Sequence, residues 1–279
     1  MQLEPQLPSE KNPPRGILLI MELRILGSYG GDSPNCRMTS FLVADTVAID
    51  AGAITRALSI EEQKQIRHVI VTHTHLDHTA TLPFLIENIF GANDEAVTIY
   101  STKRVLANLR RHLFNNDTWP DFSRIPNHLY PSVRFVEVEA GVPVKIAGVP
   151  GGDITVTPVP VHHIVPTIGL LIHQNGRTLA FTSDTGPTEE IWQAMNRDEN
   201  LTAVITECSF PNRLQNVADV SLHLTPKTLA QELVKLTRDV RVLIYHLKPP
   251  YVDELRQELA VTEMPHPIEE LQQDGVYEL

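Results

Sequence analysis

The chain has 279 residues, 42% of them hydrophobic, and a formal net charge of −11, enough apolar material for one large domain or two small ones. This acidity disfavours non-specific nucleic-acid binding, because phosphate backbones are held by Lys and Arg. Two widely spaced cysteines, Cys36 and Cys208, exclude a disulfide framework and a thiolate zinc site, and no apolar run approaches the ~20 residues of a membrane helix.

Residues 1–20 are Pro-rich with acidic flanks, and the apolar stretch from Ile17 is too short for the core of a signal peptide. They read as a loose tail before a single domain over 21–279, in a cytoplasmic protein. From Leu23 to Ala53, β-type segments alternate with Gly and Asp turns and predict three strands. "IRHVIVTH" predicts a further strand and "TATLPFLIENIF" a helix after it. "AVTIYST" and "TKRVLANLRRHLF" predict a strand and a helix, and the basic pairs of that helix, Lys103–Arg104 and Arg110–Arg111, read as a solvated face. "NNDTWPDFSRIPNHLYPSV" is the longest irregular stretch, and its Trp and Phe argue against disorder. "VRFVEVE", "VPVKIAG" and "ITVTPVPVHH" predict three strands. "IGLLIHQNGRTLAFTSD" predicts a hairpin turning at Asn175-Gly176. Strand, helix, strand and helix follow in "LTAVITECSF", "TPKTLAQELVKLT", "VRVLIYHLKPP" and "YVDELRQELA". The pattern predicts an α/β sandwich of two mixed sheets with helices outside.

Chemistry concentrates at strand ends. After the run Val69–Val71 come His73, His75, Asp77 and His78. Alternate side chains of an extended segment share a face, so His73 and His75 point the same way as the chain leaves its strand. The chain brings further metal-binding residue types to strand ends at His162 and His163, at Asp184 and at His246. A lone histidine in such a place is usually a hydrogen-bonded core or rim residue, and a lone Asp a turn former. The whole set points to a site for two metal ions.

"HTHLDH", a later His, "SDTG" and a final His resemble the metallo-β-lactamase fold, an αββα sandwich covering nearly the whole chain. The resemblance implies one metal held by His73, His75 and His163, and another by Asp77, His78 and His246, with Asp184 bridging both. His163 is preferred to His162 because the family ligand lies six residues before a glycine, here Gly169. Zinc is the expected ion, and imidazole and carboxylate donors also suit manganese or iron.

"ITECSFPNRLQNVADVSLHLTP" resembles the phosphodiesterase branch. It implies His223 as a general acid oriented by Glu207, with Asp77 also orienting the nucleophile. Transfer-RNA 3′-processing endonucleases of this branch carry a long basic arm between the third His and the bridging Asp. Here His163 and Asp184 lie 21 residues apart around a tight hairpin. Three stretches are similar instead to class II cyclic-nucleotide phosphodiesterases: "HTHLDHTATLPFLIEN", the Trp119-Pro120-Asp121 loop and "YHLKPP". Thr79 and Glu87-Asn88 depart from that pattern. The resemblance implies hydrolysis of cAMP or cGMP to the 5′-nucleotide through in-line attack by a hydroxide shared by the metals, in a homodimer without membrane or nucleic-acid partners. Trp119 and Phe122 would stack on the base while Asn115, Asn116 and His162 contact the substrate. Alternatively, Trp119 anchors the loop or a subunit interface. A thioesterase or lactone hydrolase shares the same ligands, and a catalytically silent nucleotide sensor would have lost some of them.

Overall fold

The computed structural model describes residues 20–92 and 95–279, so all but Ile20 of the expected tail lies outside it. In chain order the strands are β1 (Glu22–Gly27), β2 (Ser40–Val43), β3 (Val47–Ile49), β4 (His68–Ile70), β5 (Val97–Ser101), β6 (Pro126–Asn127), β7 (Tyr130–Pro131) and β8 (Val133–Glu137). They continue with β9 (Val144–Ile146), β10 (Ile154–Val161), β11 (Thr167–Gln174), β12 (Arg177–Phe181), β13 (Leu201–Glu207), β14 (Arg241–Tyr245), β15 (Ile268–Glu270) and β16 (Val276–Glu278). One seven-stranded sheet runs β16-β1-β2-β3-β4-β5-β8 and another β15-β14-β13-β12-β11-β10-β9, while β6 and β7 form a small ribbon. Each large sheet is antiparallel in one part and parallel in the other.

The sheets face each other across an apolar core. Phe41 of β2 meets Phe181 of β12 and Tyr245 of β14, with ring centroids 5.3 and 5.5 Å apart. Outside the first sheet lie α1 (Ile54–Ala57), α2 (Ile60–Gln63), α3 (Leu76–Thr79), α4 (Leu82–Asn88) and α5 (Lys103–His112). Leu82, Leu85 and Ile86 of α4 and Val105, Leu106 and Leu109 of α5 pack there with Val69, Val97 and Ile99. Outside the second lie α6 (Glu190–Arg197), α7 (Gln215–Ser221), α8 (Pro226–Leu233) and α9 (Val252–Val261), whose Trp192, Leu229, Leu233 and Leu255 pack against Val204, Val242 and Ile244. Central parallel strands covered on both faces are apolar throughout rather than alternating, which is why β13 and β14 read as continuous runs.

The hairpin expected at Asn175-Gly176 joins β11 to β12. Both turn residues have positive φ, 53° and 77°, the conformation that matches the right-handed twist of the flanking strands. Of the helix expected over Thr79–Phe90, the structure forms α4 from Leu82 to Asn88, preceded by Thr81 in a non-helical conformation; the separate short helix α3 ends at Thr79. The last residues of the chain supply β15 to the second sheet and β16 to the first. Among the described residues, no helix is long and apolar enough to cross a membrane.

Candidate metal centre

Strands β3, β4, β12, β13 and β14 all deliver polar residues at their C-terminal ends, the edge where α/β sheets place ligands. One donor nitrogen each from His73, His75 and His163 and a carboxylate oxygen of Asp184 lie within 4.8 Å of one another. Asp77, His78, Asp184 and His246 form a second such group, so Asp184 belongs to both. His73 and His75 leave β4 in extended backbone, Asp77 and His78 sit on α3, and His163 follows β10. Asp184 and His246 follow sharp turns: Ser183 and His246 have φ of 57° and 69°. Non-glycine residues in this left-handed region carry strain that surrounding contacts must hold. Gly30 is one such contact, because a Cβ there would lie 2.5 Å from Cε1 of His246.

The hydrogen-bond partners assign the imidazole tautomers. Nδ1 of His163 lies 3.0 Å from the Leu222 carbonyl oxygen, which can only accept, so Nδ1 carries the proton. Nδ1 of His78 donates in the same way to Asp50 Oδ2 at 2.7 Å. Thr72 gives its hydroxyl proton to Asp50, leaving Oγ1 to accept from Nδ1 of His73 at 3.1 Å. Each assignment turns Nε2 inward, bare whenever the ring is neutral. Those of His78 and His246 stand 3.4 Å apart, and that of His163 stands 3.3 Å from Nδ1 of His75. Asp184 Oδ2 lies 3.3 Å from His78 Nε2 and 3.2 Å from His246 Nε2. His73 Nε2 and Asp184 Oδ2 are buried with no hydrogen-bond partner. Lone pairs aimed at one another beside an unsatisfied carboxylate are costly unless a cation lies between them. The donor set therefore fits divalent metal ions.

Burial sets the charge states that this chemistry needs. It holds the imidazoles of His73, His163 and His246 below their ordinary range and, reinforced by His163, brings His75 down to about 4. These rings remain neutral and able to ligate at neutral pH. His78 goes the other way: Asp184 and Asp50 outweigh burial and raise it well above 6.5, favouring positive charge, proton or metal, at this position. Burial pushes the Asp77 and Asp184 carboxyls up, but His246 and His78 together hold both well below the usual carboxylate range.

A third cluster flanks the second donor group. Glu207 Oε1 lies 2.7 Å from Nδ1 of His223, and the His223 ring stacks on His246 with centroids 5.4 Å apart. Burial lowers His223, and the Glu207 carboxylate more than offsets it, so the imidazole is raised above its ordinary value. The Ser209 hydroxyl sits between Glu207, His223 and His246. The Tyr245 hydroxyl donates to Asp184 Oδ1 at 3.1 Å, and the Lys248 ammonium lies 3.6 Å from Asp77. Asp50, Ser209, Tyr245 and Gly30 escaped the sequence reading. Of these, only Asp50 carried a recognisable cue, as an acid ending an apolar strand before Ala-Gly.

Several expected substrate contacts lie elsewhere. Phe122 is 6% exposed, packed beneath α4 with its ring 5.6 Å from that of Phe90, so it cannot stack on a base. The Asn115 side-chain oxygen accepts from the backbone of Asp117 and Thr118, and that of Asn116 from Asp121, so both oxygens shape their own loop. Trp119 packs edge-on against Phe84 at 5.0 Å, which is the anchoring alternative. His162 is exposed, with Nδ1 3.2 Å from the Pro187 carbonyl oxygen; His163 is the one of the pair that faces the donors.

Residues 45–247 match the family model described as a beta-lactamase superfamily domain. A protein named Ribonuclease Z from Borrelia hermsii is 25% identical over 280 aligned residues, covering 82% of this chain and 86% of its own length. Among solved structures, unliganded yeast PDE1 superposes with a TM-score of 0.78 at 18% identity, covering 93% of this chain and 99% of its own. The metallo-beta-lactamase fold protein YhfI from Bacillus subtilis gives 0.73 at 17% identity, covering the same shares. The short form of human tRNase Z gives 0.63 at 14%, covering 92% and 99%. Both donor groups fall inside the matched segment, on a sandwich shared with these structures, and the chain belongs to the beta-lactamase superfamily as a metal-dependent hydrolase.

Proposed function

We propose that the protein hydrolyses 3′,5′-cyclic nucleotides, cAMP or cGMP, to 5′-nucleotides. The observation that carries this reading is the two-residue turn between β11 and β12. It leaves no arm between His163 and Asp184 with which to hold a transfer RNA, while the His223–Glu207 pair suits the loss of an alkoxide. Two divalent ions, zinc in this reading, held by the His73–His75–His163 and Asp77–His78–His246 groups with Asp184, would polarise phosphoryl oxygens and lower the pKa of water. His223 has Nδ1 committed to Glu207, so Nε2 is the atom that protonates the departing 3′-oxygen. Glu207 fixes that ring, Asp77 orients the nucleophile, and Lys248 beside it offers a positive charge to the phosphate.

A second reading, a transfer-RNA 3′-processing endonuclease, is favoured by the names of the curated relatives at 24–25% identity. Their alignments run longer than the part of this chain they match, so those proteins carry segments that this one lacks. The homodimer expected from the resemblance is also part of the proposal, with Phe84, Phe90, Leu129 and Tyr130 as its exposed apolar face.

The test is turnover of cAMP, cGMP, a precursor transfer RNA and an acyl thioester by one metal-loaded sample whose mass is taken by sedimentation. Cyclic-nucleotide turnover is expected. Cleavage of the precursor with neither cyclic nucleotide touched would replace this reading with the endonuclease. Thioester turnover alone would place the protein among thioesterases, and cyclic nucleotide bound but not hydrolysed would make it a sensor.

A further inference from the structure

We propose that Ser209 is a positioning residue that joins the metal-side imidazole of His246 to the acid-side pair, so that one carboxylate, Glu207, organises both. Its role toward His223 rests on the general-acid reading above; its role toward His246 does not.

The argument is an accounting of protons. Ser209 is fully buried just beyond the end of β13. A serine hydroxyl has one proton and two lone pairs. Three groups surround Oγ: Glu207 Oε2, Nδ1 of His246 at 2.9 Å and Nδ1 of His223 at 3.2 Å. The ionised carboxylate can only accept, so it takes the hydroxyl proton. His223 already gives its Nδ1 proton to Glu207 Oε1 at 2.7 Å. Oγ is then free to accept from His246, and the bonds run in one direction, from His246 Nδ1–H to Ser209 and from Ser209 to Glu207. Such a chain fixes the tautomer of His246 and leaves Nε2 bare toward Asp184 and His78. Glu207 can serve both ends because its position is itself fixed: backbone N–H groups of Thr185 and Leu224 donate to it at 2.9 and 3.3 Å. The same accounting explains why Glu207, His223 and His246, which approach closely enough to suggest a third ion site, need no ion: the hydroxyl occupies the middle of the triangle.

Without the hydroxyl, the His246 Nδ1–H loses its acceptor. The ring must then either leave a buried donor unpaired or move its proton to Nε2, where it blocks ligation. Ser209→Ala should therefore weaken metal binding at the His246 group by about 10–100-fold, leave the His73–His75–His163 group within twofold, and lower kcat at saturating metal. Ser209→Thr, which keeps the hydroxyl, should restore the weaker affinity. His223→Ala, which leaves the Ser209 bond to His246 intact, should not disturb it.

The experiment is a two-site competition titration of zinc against a chromophoric chelator, run on the wild type and the three variants. It reads metal rather than turnover, so it stands even if the substrate proves not to be a cyclic nucleotide. Unchanged second-site affinity in Ser209→Ala, equal loss at both sites, or failure of Ser209→Thr to recover while its melting temperature matches the wild type would each overturn the proposal.

Discussion

The reactive character of each imidazole follows from where its proton is parked. Four of the donor histidines spend Nδ1 on a protein acceptor (Thr72, Asp50, Leu222 and Ser209) and so turn Nε2 inward. His223 also spends Nδ1, on Glu207, but its ring sits beside the donors and its partner raises it above 6.5. A histidine in that state can still donate a proton at neutral pH, which a ligand cannot. Replacing His223 with Ala should lower kcat about 10²–10⁴-fold with metal content unchanged; loss of metal would make His223 a ligand instead. The sign of the pH effect follows from the same pair. Glu207 favours the protonated ring, so Glu207→Gln removes that bias and lowers its pKa. With the protonated ring as the proposed acid, the alkaline limb of the kcat profile should move to lower pH. A limb that stays put or moves upward would assign it to another group.

Among the secondary-structure elements, the short helix α2 is fixed by its cap rather than by a periodic apolar face. Its four residues are held by a capping box between Ser59 and Glu62, and Glu62 also takes Arg24 of β1 at 2.9 Å. The Arg24 and Ser59 hydrogen bonds depress the Glu62 carboxyl from 4.5 to about 2. A depressed acid contributes stability above its unfolded pKa and loses it as pH falls through the folded value. Glu62→Gln should therefore cost about 0.5–1 kcal/mol at pH 7, and the gap to the wild type should close between pH 4.5 and 2. Urea melts at three pH values would show it, and a gap independent of pH would mean that the glutamate acts without its charge. The strands bearing the donors were legible because long apolar runs end abruptly in His or Asp, a pattern with few other causes. The short helices α1 and α2 were not, because four residues carry too little periodicity. β16 was not, because its partner β1 lies more than 240 residues away in sequence. The Trp119 loop misled, because the same Asn, Trp and Phe residues serve a base pocket or a packed loop equally well. Only burial beneath α4 separates the two for Phe122.

Over the whole molecule, the site is a seam between two layers. His73, His75, Asp77 and His78 come from the first sheet and its helix α3, whereas His163, Asp184 and His246 come from the second. The apolar core holds the sheets together along most of their length, but at this end the facing surfaces are bare nitrogens and carboxylates. A cation held by these donors would close the seam and remove lone-pair repulsion, so metal binding would also be folding free energy. At a free metal concentration 100 times the dissociation constant, one site adds about 2.7 kcal/mol. For a domain of this size, that corresponds to a rise in melting temperature on the order of 5–10 °C. Chelator-stripped protein should melt lower by that amount and recover when zinc is returned. Asp184→Asn, at the one carboxylate shared by both donor groups, should abolish most of the recovery. Stripped and reloaded wild type melting together would show that the seam is already satisfied by protons, and that the metal serves chemistry without stabilising the fold.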